Sequence, residues 1–220
     1  MNAEAPRQIA AWAAARGIPL VHFSTDYVFD GSGERPWREQ DPTGPLSVYG
    51  ASKLAGEVAI REAHGSHLIV RTSWVYAAQG SNFLRAIARL SRERSELRIV
   101  ADQIGAPTPA RVIARIVTLI IEKCRSDLLA RFADVGGVIN VATSGETSWY
   151  GFATAIVDLL RARDDRLQVE RIVPIRTQEY PAKARRPHNS RLDLTRLNRH
   201  FGIIHPSWEE ALAAELAYTS

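Results

Sequence analysis

Short apolar runs alternating with segments of helical period constrain this chain more than any other feature. IPLVHFST (18–25), HLIVRTSWVY (67–76) and GVINVA (137–142) are runs of strand type, rich in β-branched and aromatic residues. Before the first run, residues 3–16 place Ile9, Ala10, Ala13 and Ala14 on one helical face, closed by Gly17. Helical segments at Val48–Ala63, Asn82–Arg94 and Ala110–Cys124 separate the later runs, with a short LRIV strand at 97–100 and the loop ADQIGAPTP between the last two helices. Strands alternating with helices imply a parallel sheet with crossover helices. Beyond Thr147 the texture changes. A helix near Tyr150–Arg161, a strand near Gln168–Val173, an arginine- and proline-rich loop at 174–191 and helices near 193–200 and 207–218 complete the chain.

At 220 residues the chain can bury the core of one domain, or of one domain with a smaller appendage. Its 45% hydrophobic and 24% charged residues are those of a globular, soluble protein. No run approaches the roughly 20 apolar residues of a membrane span, and the opening MNAEAPRQIA lacks the build of a signal peptide, so a cytoplasmic location is expected. The lone cysteine, Cys124, follows an apolar run and reads as a buried small hydrophobe. The net charge of +4 comes from 28 basic residues, 25 arginines and three lysines, spread along the chain rather than gathered in a stripe. That pattern speaks against nucleic acid and leaves anionic small molecules as partners. His64 and His67 flank a turn and the other histidines are scattered, so no metal-ligand set emerges. Ser24 and Ser52 lack a hydrolase elbow.

The stretch PLSVYGASKLAGE holds Tyr49 and Lys53 four apart, one turn apart on a helical face. A tyrosine with a pKa of about 10 is a poor acid, and a nearby ammonium lowers that value toward useful proton exchange with a carbonyl or alcohol oxygen. The spacing alone is equally that of two ordinary helix neighbours. STDYVFDG adds context, because polar residues at the carboxyl end of a parallel strand lie where such sheets place ligands. Thr25 is placed to hydrogen-bond the oxygen that Tyr49 protonates; alternatively Ser24, Thr25 and Asp26 end the strand and cap a turn.

STDYVFDG (24–31), VYGASK (48–53) and RTSWVY (71–76), in this order and spacing, resemble the extended short-chain dehydrogenase/reductases, and more narrowly the dTDP-4-dehydrorhamnose reductases. NFLRAIARL from Asn82, DQIGAPTPA from Asp102 and ARRPHNSRLD from Ala184 extend the resemblance over nearly the whole chain. It implies an α/β fold, a partial Rossmann-like parallel sheet of C-terminal strands only, with a small C-terminal substrate-binding cap. Residues 1–147 would be the nucleotide-binding remnant, with a cap excursion around 77–107, and 148–220 mostly cap.

The implied reaction is NADPH-dependent, or NADH-dependent, reduction of the C4 keto group of dTDP-4-dehydro-6-deoxy-L-mannose to dTDP-L-rhamnose. Tyr49 would be the general acid, Lys53 would hold the nicotinamide ribose and lower the Tyr49 pKa, and Thr25 would orient the carbonyl. The resemblance also implies that Ser24, Thr72 and Ser73 lie beside the cofactor and Asp26, Tyr27, Val28 and Trp74 beside the sugar. A substrate diphosphate calls for guanidinium groups, and Arg185, Arg186 and Arg191 are candidates for it or else solvated charges. Asn82 and Gln103 are candidates of the same kind, against a helix cap and a turn. The Ser24-Thr25-Asp26 sequence and the tryptophan of RTSW favour a reductase over an epimerase or dehydratase. The rival readings are a non-catalytic binding or regulatory relative and another nucleotide-sugar enzyme.

The fourteen glycines contain neither GxxGxxG nor GxGxxG, the turn that cradles a cofactor pyrophosphate. By resemblance the chain starts at the helix before the STDYVF strand, without the family's first four strands. The LVHFST strand is then expected at a sheet edge with an uncovered apolar face. A marginal, aggregation-prone or partner-dependent protein follows, with a second copy or a complementing amino-terminal fragment as the partner.

Overall fold

A computed structural model describes residues 1–135, 137–163, 166–180 and 184–218. Part of the arginine-rich loop, residues 181–183, lies outside the described residues. In chain order the elements are α1 (Glu4–Ala14), β1 (Leu20–Thr25), α2 (Val48–Glu62), β2 (His67–Thr72), β3 (Val75–Tyr76), α3 (Phe83–Glu93), β4 (Glu96–Val100), β5 (Ile104–Gly105), β6 (Thr108–Pro109) and α4 (Ala110–Lys123). They continue with α5 (Leu128–Asp134), β7 (Val138–Asn140), β8 (Thr147–Ser148), α6 (Trp149–Arg161), β9 (Arg171–Ile175), α7 (Thr195–Phe201) and α8 (Trp208–Ala217). Single 3₁₀ turns occupy Asp26–Val28 and Thr177–Glu179.

The expected parallel sheet is present, with strand order β1-β2-β7. Its register sets Ser24 opposite Arg71, Thr25 opposite Thr72, and Arg71 opposite Asn140, so three strands end in polar residues at one level. Side chains alternate across β2. Leu68 and Val70 face Ile113, Ile116, Val117 and Ile120, the apolar stripe of α4, together with Phe132 and Leu197. Ile69 faces the other way, onto Ala10 of α1 and Ile60 of α2. Each fully buried aliphatic side chain in this core contributes about 1.5–3 kcal/mol. Cys124 belongs to the same core, 1% exposed, as a small hydrophobe would.

A second core forms around the parallel pair β4–β9, where Leu97 packs with Tyr76, Leu84, Ile87, Phe152, Ile156, Trp208 and Leu212. Apart from Tyr76 and Val169, its buried residues come from the 77–107 region, from α6 and from α8, whereas Leu197 and Phe201 of α7 pack into the first core.

Three expectations differ from what is observed. HLIVRTSWVY is two strands, because the backbone turns at Trp74, which sits at φ 47°. That turn lays the Trp74 indole flat on Trp149, ring centroids 3.7 Å apart, and over Gly105, where a Cβ would lie 2.6 Å from the ring. Val75 and Tyr76 then pair with Thr108 and Pro109 in a separate ribbon. The strand expected at 168–173 ladders with β4 only from Arg171, since the Gln168 and Val169 amides are taken by the Ser91 carbonyl. The short α5, capped by the Asp127 side chain at the Ala130 amide (3.0 Å), was not legible in the sequence.

β1 lies at the sheet edge, hydrogen-bonded as a strand to β2 alone among the described residues. Around it, Phe23, Trp12 and Ile9 are about half exposed (49%, 53% and 52%). Among the described residues no helix is long and apolar enough to cross a membrane.

Candidate active site

The carboxyl ends of β1 and β2 meet the start of α2. Ser47 caps α2 by accepting from the Gly50 amide at 3.1 Å, and this fixes the first turn from which Tyr49 projects. Gly50 is pressed on the 3₁₀ turn after β1: a Cβ there would lie 2.2 Å from the Tyr27 carbonyl oxygen. Gly50→Ala is therefore expected to lift α2 from that turn and cost about 1–3 kcal/mol, read as a lowered Tm. An unchanged Tm would mean the two segments yield freely.

Thr25, Asp26, Tyr27, Tyr49, Thr72, Trp74, Trp149 and Arg186 line one cavity of about 280 Å³, with Ser24 and Val75 completing it. The Tyr49 phenol is half exposed and meets the edge of the Tyr27 ring at 5.8 Å between centroids. Burial pushes the Tyr49 pKa up from its usual range, hydrogen bonding from Thr25 draws it down in part, and the Asp26 carboxylate adds to the rise. The expected lowering by Lys53 is not seen. The Lys53 ammonium instead donates to the Phe23 carbonyl oxygen at 2.6 Å and lies 3.4 Å from His22 Nε2. Burial lowers the Lys53 pKa, and Glu57 opposes that shift.

Asp26 is buried, and burial lifts its carboxyl to about 6, with Ser190 and Thr25 drawing it part of the way back, while Oδ2 has no hydrogen-bond partner among the described residues. The Thr25 hydroxyl donates to Asp26 Oδ1 at 3.1 Å and accepts from the Tyr27 amide at 3.2 Å. Burial, assisted by Asp26, pushes the Tyr27 phenol up to about 12.

A second cavity of about 320 Å³ adjoins the first, and Trp149 and Arg186 belong to both. Phe83, Arg98, Gln103, Thr177, Tyr180 and Arg185 contribute to its lining. Gln103 accepts from the Trp149 indole N–H at 3.2 Å and donates to Thr177 Oγ1 at 3.1 Å, while Thr177 donates to Asp102. One polar chain thus fixes the wall between the two cavities.

Other candidate residues fall elsewhere. Asn82 caps α3, accepting from the Arg85 amide and donating to the Ala77 and Gln79 carbonyls, so it follows the helix-cap reading. Arg191 pairs with Glu146 at 2.9 Å and lines a separate, larger depression of about 620 Å³ between Pro36 and His205. Val28 is fully buried beside Phe29, Ala142 and Leu192, which leaves only its main chain to touch a sugar. Ser73 is buried and donates to the Ala106 carbonyl at 3.5 Å, and the Ser24 hydroxyl donates to Glu57 at 2.6 Å. Thr72 Oγ1, buried in the cavity wall, has no hydrogen-bond partner among the described residues.

Sequence reasoning missed Trp149, Phe83, Arg98, Thr177 and Tyr180. A tryptophan directly after the Thr147-Ser148 cap of α6 was the available signal. Among the described residues no group of three or more metal-ligating side chains gathers.

The whole chain, residues 1–220, matches the RmlD substrate binding domain family. It is 48% identical to the dTDP-4-dehydrorhamnose reductase of Burkholderia thailandensis over 96% of this chain and 72% of that protein. With the Escherichia coli dTDP-4-dehydrorhamnose reductase it shares 41% identity over 95% of this chain and 68% of that one. Among solved structures, the reductase of Clostridium acetobutylicum superposes with a TM-score of 0.88 at 34% identity, over 99% of this chain and 72% of that chain. The reductase of Bacillus anthracis in complex with NADP gives 0.86 at 34% identity, over 100% and 72%. The parallel sheet and its helices are thus part of a Rossmann-like α/β fold, and the chain belongs to the dTDP-4-dehydrorhamnose reductases, NADP-dependent oxidoreductases.

Proposed function

We propose that this chain carries the substrate half and the proton-donating centre of a reductase that converts the C4 keto group of dTDP-4-dehydro-6-deoxy-L-mannose to the alcohol of dTDP-L-rhamnose. The observation that carries this reading is the single cavity where Thr25, Tyr49, Thr72 and Trp74 meet at the strand ends, continuous through Trp149 and Arg186 with an arginine-bearing cavity.

NADPH, when bound, supplies the hydride. The residues present fit its nicotinamide end, since the orphaned Thr72 hydroxyl and the nearby Tyr49 and Lys53 offer hydrogen-bonding groups to a ribose and a carboxamide. Tyr49 gives its phenolic proton to the C4 oxygen. Thr25, which shares the cavity with Tyr49 and whose hydroxyl donates to Asp26, turns that donor onto the same oxygen, orients it and stabilises the developing negative charge. The raised pKa keeps the proton on Tyr49 until transfer. The Lys53 ammonium, now donating to the Phe23 carbonyl, would stabilise the phenolate by its charge, and the half-exposed Tyr49 regains its proton from solvent. Asp26, Tyr27 and Trp74 border the sugar. Arg98, Arg185 and Arg186 hold the diphosphate, and the aromatic faces of Phe83, Trp149 and Tyr180 take the base.

Fluorescence titrations of the chain with NADPH and with dTDP, followed by a reductase assay on the 4-keto sugar nucleotide, test the reading. Saturable binding of both and turnover to a rhamnose nucleotide are expected. A folded chain that binds neither nucleotide would end it. An epimerised keto product in place of the alcohol would also end it, assigning the site to another nucleotide-sugar enzyme.

A further inference from the structure

Directly beneath the reaction centre lies a charged network that no step above uses. Glu57, one helical turn beyond Lys53 and two beyond Tyr49, has a side chain with 0% exposure, and Arg71, 2% exposed, faces it from β2. The Glu57 carboxylate accepts from Arg71 Nε at 2.9 Å, from Arg71 Nη2 at 2.7 Å, from the Ser24 hydroxyl at 2.6 Å and from Arg61 Nη2 at 2.6 Å. Arg71 also donates to the Glu39 carbonyl oxygen at 3.0 Å, and its guanidinium lies 5.0 Å from the Phe29 ring centroid. Burying two opposite charges is a poor route to stability, because desolvation offsets their attraction and an apolar pair of equal volume does as well or better.

What the pair provides is placement. Ser24 immediately precedes Thr25, Arg71 immediately precedes Thr72, and the β1–β2 register sets these two pairs side by side. One bidentate carboxylate on α2 therefore fixes the helix against both strand ends at once. We infer that the Glu57–Arg71 pair is a positioning device for the reaction centre, setting the height of Tyr49 and Lys53 against Thr25 and Thr72; its bearing on turnover rests on the reductase reading. Glu57 and Arg71 touch no reacting atom in this scheme. Their effect runs through the placement of Tyr49 against Thr25 in the shared cavity, and a misplacement of about 1 Å there costs on the order of a hundredfold in rate.

The test is the double variant Glu57→Leu with Arg71→Met, which removes both charges and leaves neither orphaned. It is expected to fold with a Tm close to that of the parent. Its kcat should fall about a hundredfold, while KM and the affinity for dTDP stay within about twofold. A second readout needs no turnover: the NMR titration of the Tyr49 phenol, which Thr25 and Asp26 face from the end of β1 and the Tyr27 ring edge meets. Moving Tyr49 away from Thr25 weakens the influence that lowers its pKa and so raises its midpoint. In Glu57→Gln, simple removal of a negative charge would instead lower it, so the sign separates displacement from charge. An upward shift in both variants supports positioning. A parent-like kcat in a folded double variant, or an unmoved or lowered midpoint in both, overturns it. If the double variant does not fold, Glu57→Gln decides alone by the sign. A parent chain without turnover whose variants still show the upward shift would refute the reductase reading and uphold the positioning.

Discussion

Tyr49→Phe is expected to lose roughly 10²–10⁴ in turnover, the usual worth of a positioned general acid, and to keep the affinity for dTDP of the parent. Phenylalanine preserves the ring that meets the Tyr27 edge and removes only the oxygen that Thr25 contacts. The fold should therefore survive, since Tyr49 is half exposed and Thr25 keeps its hydrogen bonds to Asp26 and the Tyr27 amide. Affinity should survive because the proposed nucleotide contacts lie in the adjoining cavity of Phe83, Arg98, Gln103 and Arg185. NADPH consumption with the 4-keto sugar nucleotide measures the first quantity, and a dTDP titration of the same preparation the second. Turnover within a few-fold of the parent would remove Tyr49 from the acid role. A joint loss of turnover and dTDP binding would point to a collapsed site.

Asp26 should contribute a loss of stability as pH rises through the acid range, opposite in sign to Glu57, Asp41 and Asp102, whose partners hold their carboxyls low. Its carboxyl titrates near the ordinary 3.8 in the unfolded chain and at about 6 when folded, because burial disfavours the charged form. The folded state thus holds this proton more tightly than the unfolded state. Below about pH 4 both states are protonated and the burial carries no penalty. Between about pH 4 and 6 the unfolded chain ionises first, so the stability contribution is lost progressively as pH rises. Lifting the carboxyl from 3.8 to about 6 corresponds to roughly 3 kcal/mol at neutral pH. Asp26→Asn keeps the size and acceptor oxygen but cannot ionise. It is expected to be more stable than the parent at neutral pH, by up to about 3 kcal/mol, and to match it near pH 4. Denaturant melts of the two proteins across this window measure the difference. Parallel stability curves would show that Asp26 is not buried as a charge. Retaining so costly a carboxylate beside Tyr49 fits a site where activity is favoured over stability.

The fold was legible where period and length agreed, as in α2, β1 and the α4 stripe of Ile113, Ile116, Val117 and Ile120. It was not legible where a single residue broke a uniform pattern. HLIVRTSWVY carries no turn residue at Trp74, and its positive φ is set by Trp149 and Gly105, which lie far along the chain. At the site, Tyr49, Thr25 and Trp74 came from contiguous motifs. Glu57 and Arg71 stood in such motifs too, but fourteen residues separate the carboxylate from its guanidinium, and only the packing of α2 on β2 brings them together. The arginine-rich stretch divided in the same way. Arg185 and Arg186 border the paired cavities, while Arg191, a few residues on, is drawn to Glu146 on another face. Composition shows that guanidinium groups are available, and only the path of the chain shows which of them converge.

The face-to-face contact of Trp74 with Trp149, planes within 10° of parallel, gives the molecule an optical label of its own. Indoles in such contact couple their electronic transitions and quench one another, and among the described residues no other two of the five tryptophans are so placed. Because this pair stands between the two cavities, a guest that wedges into either one changes the near-ultraviolet circular dichroism and the emission of the unmodified protein. Occupancy can therefore be followed without a dye or a competing probe.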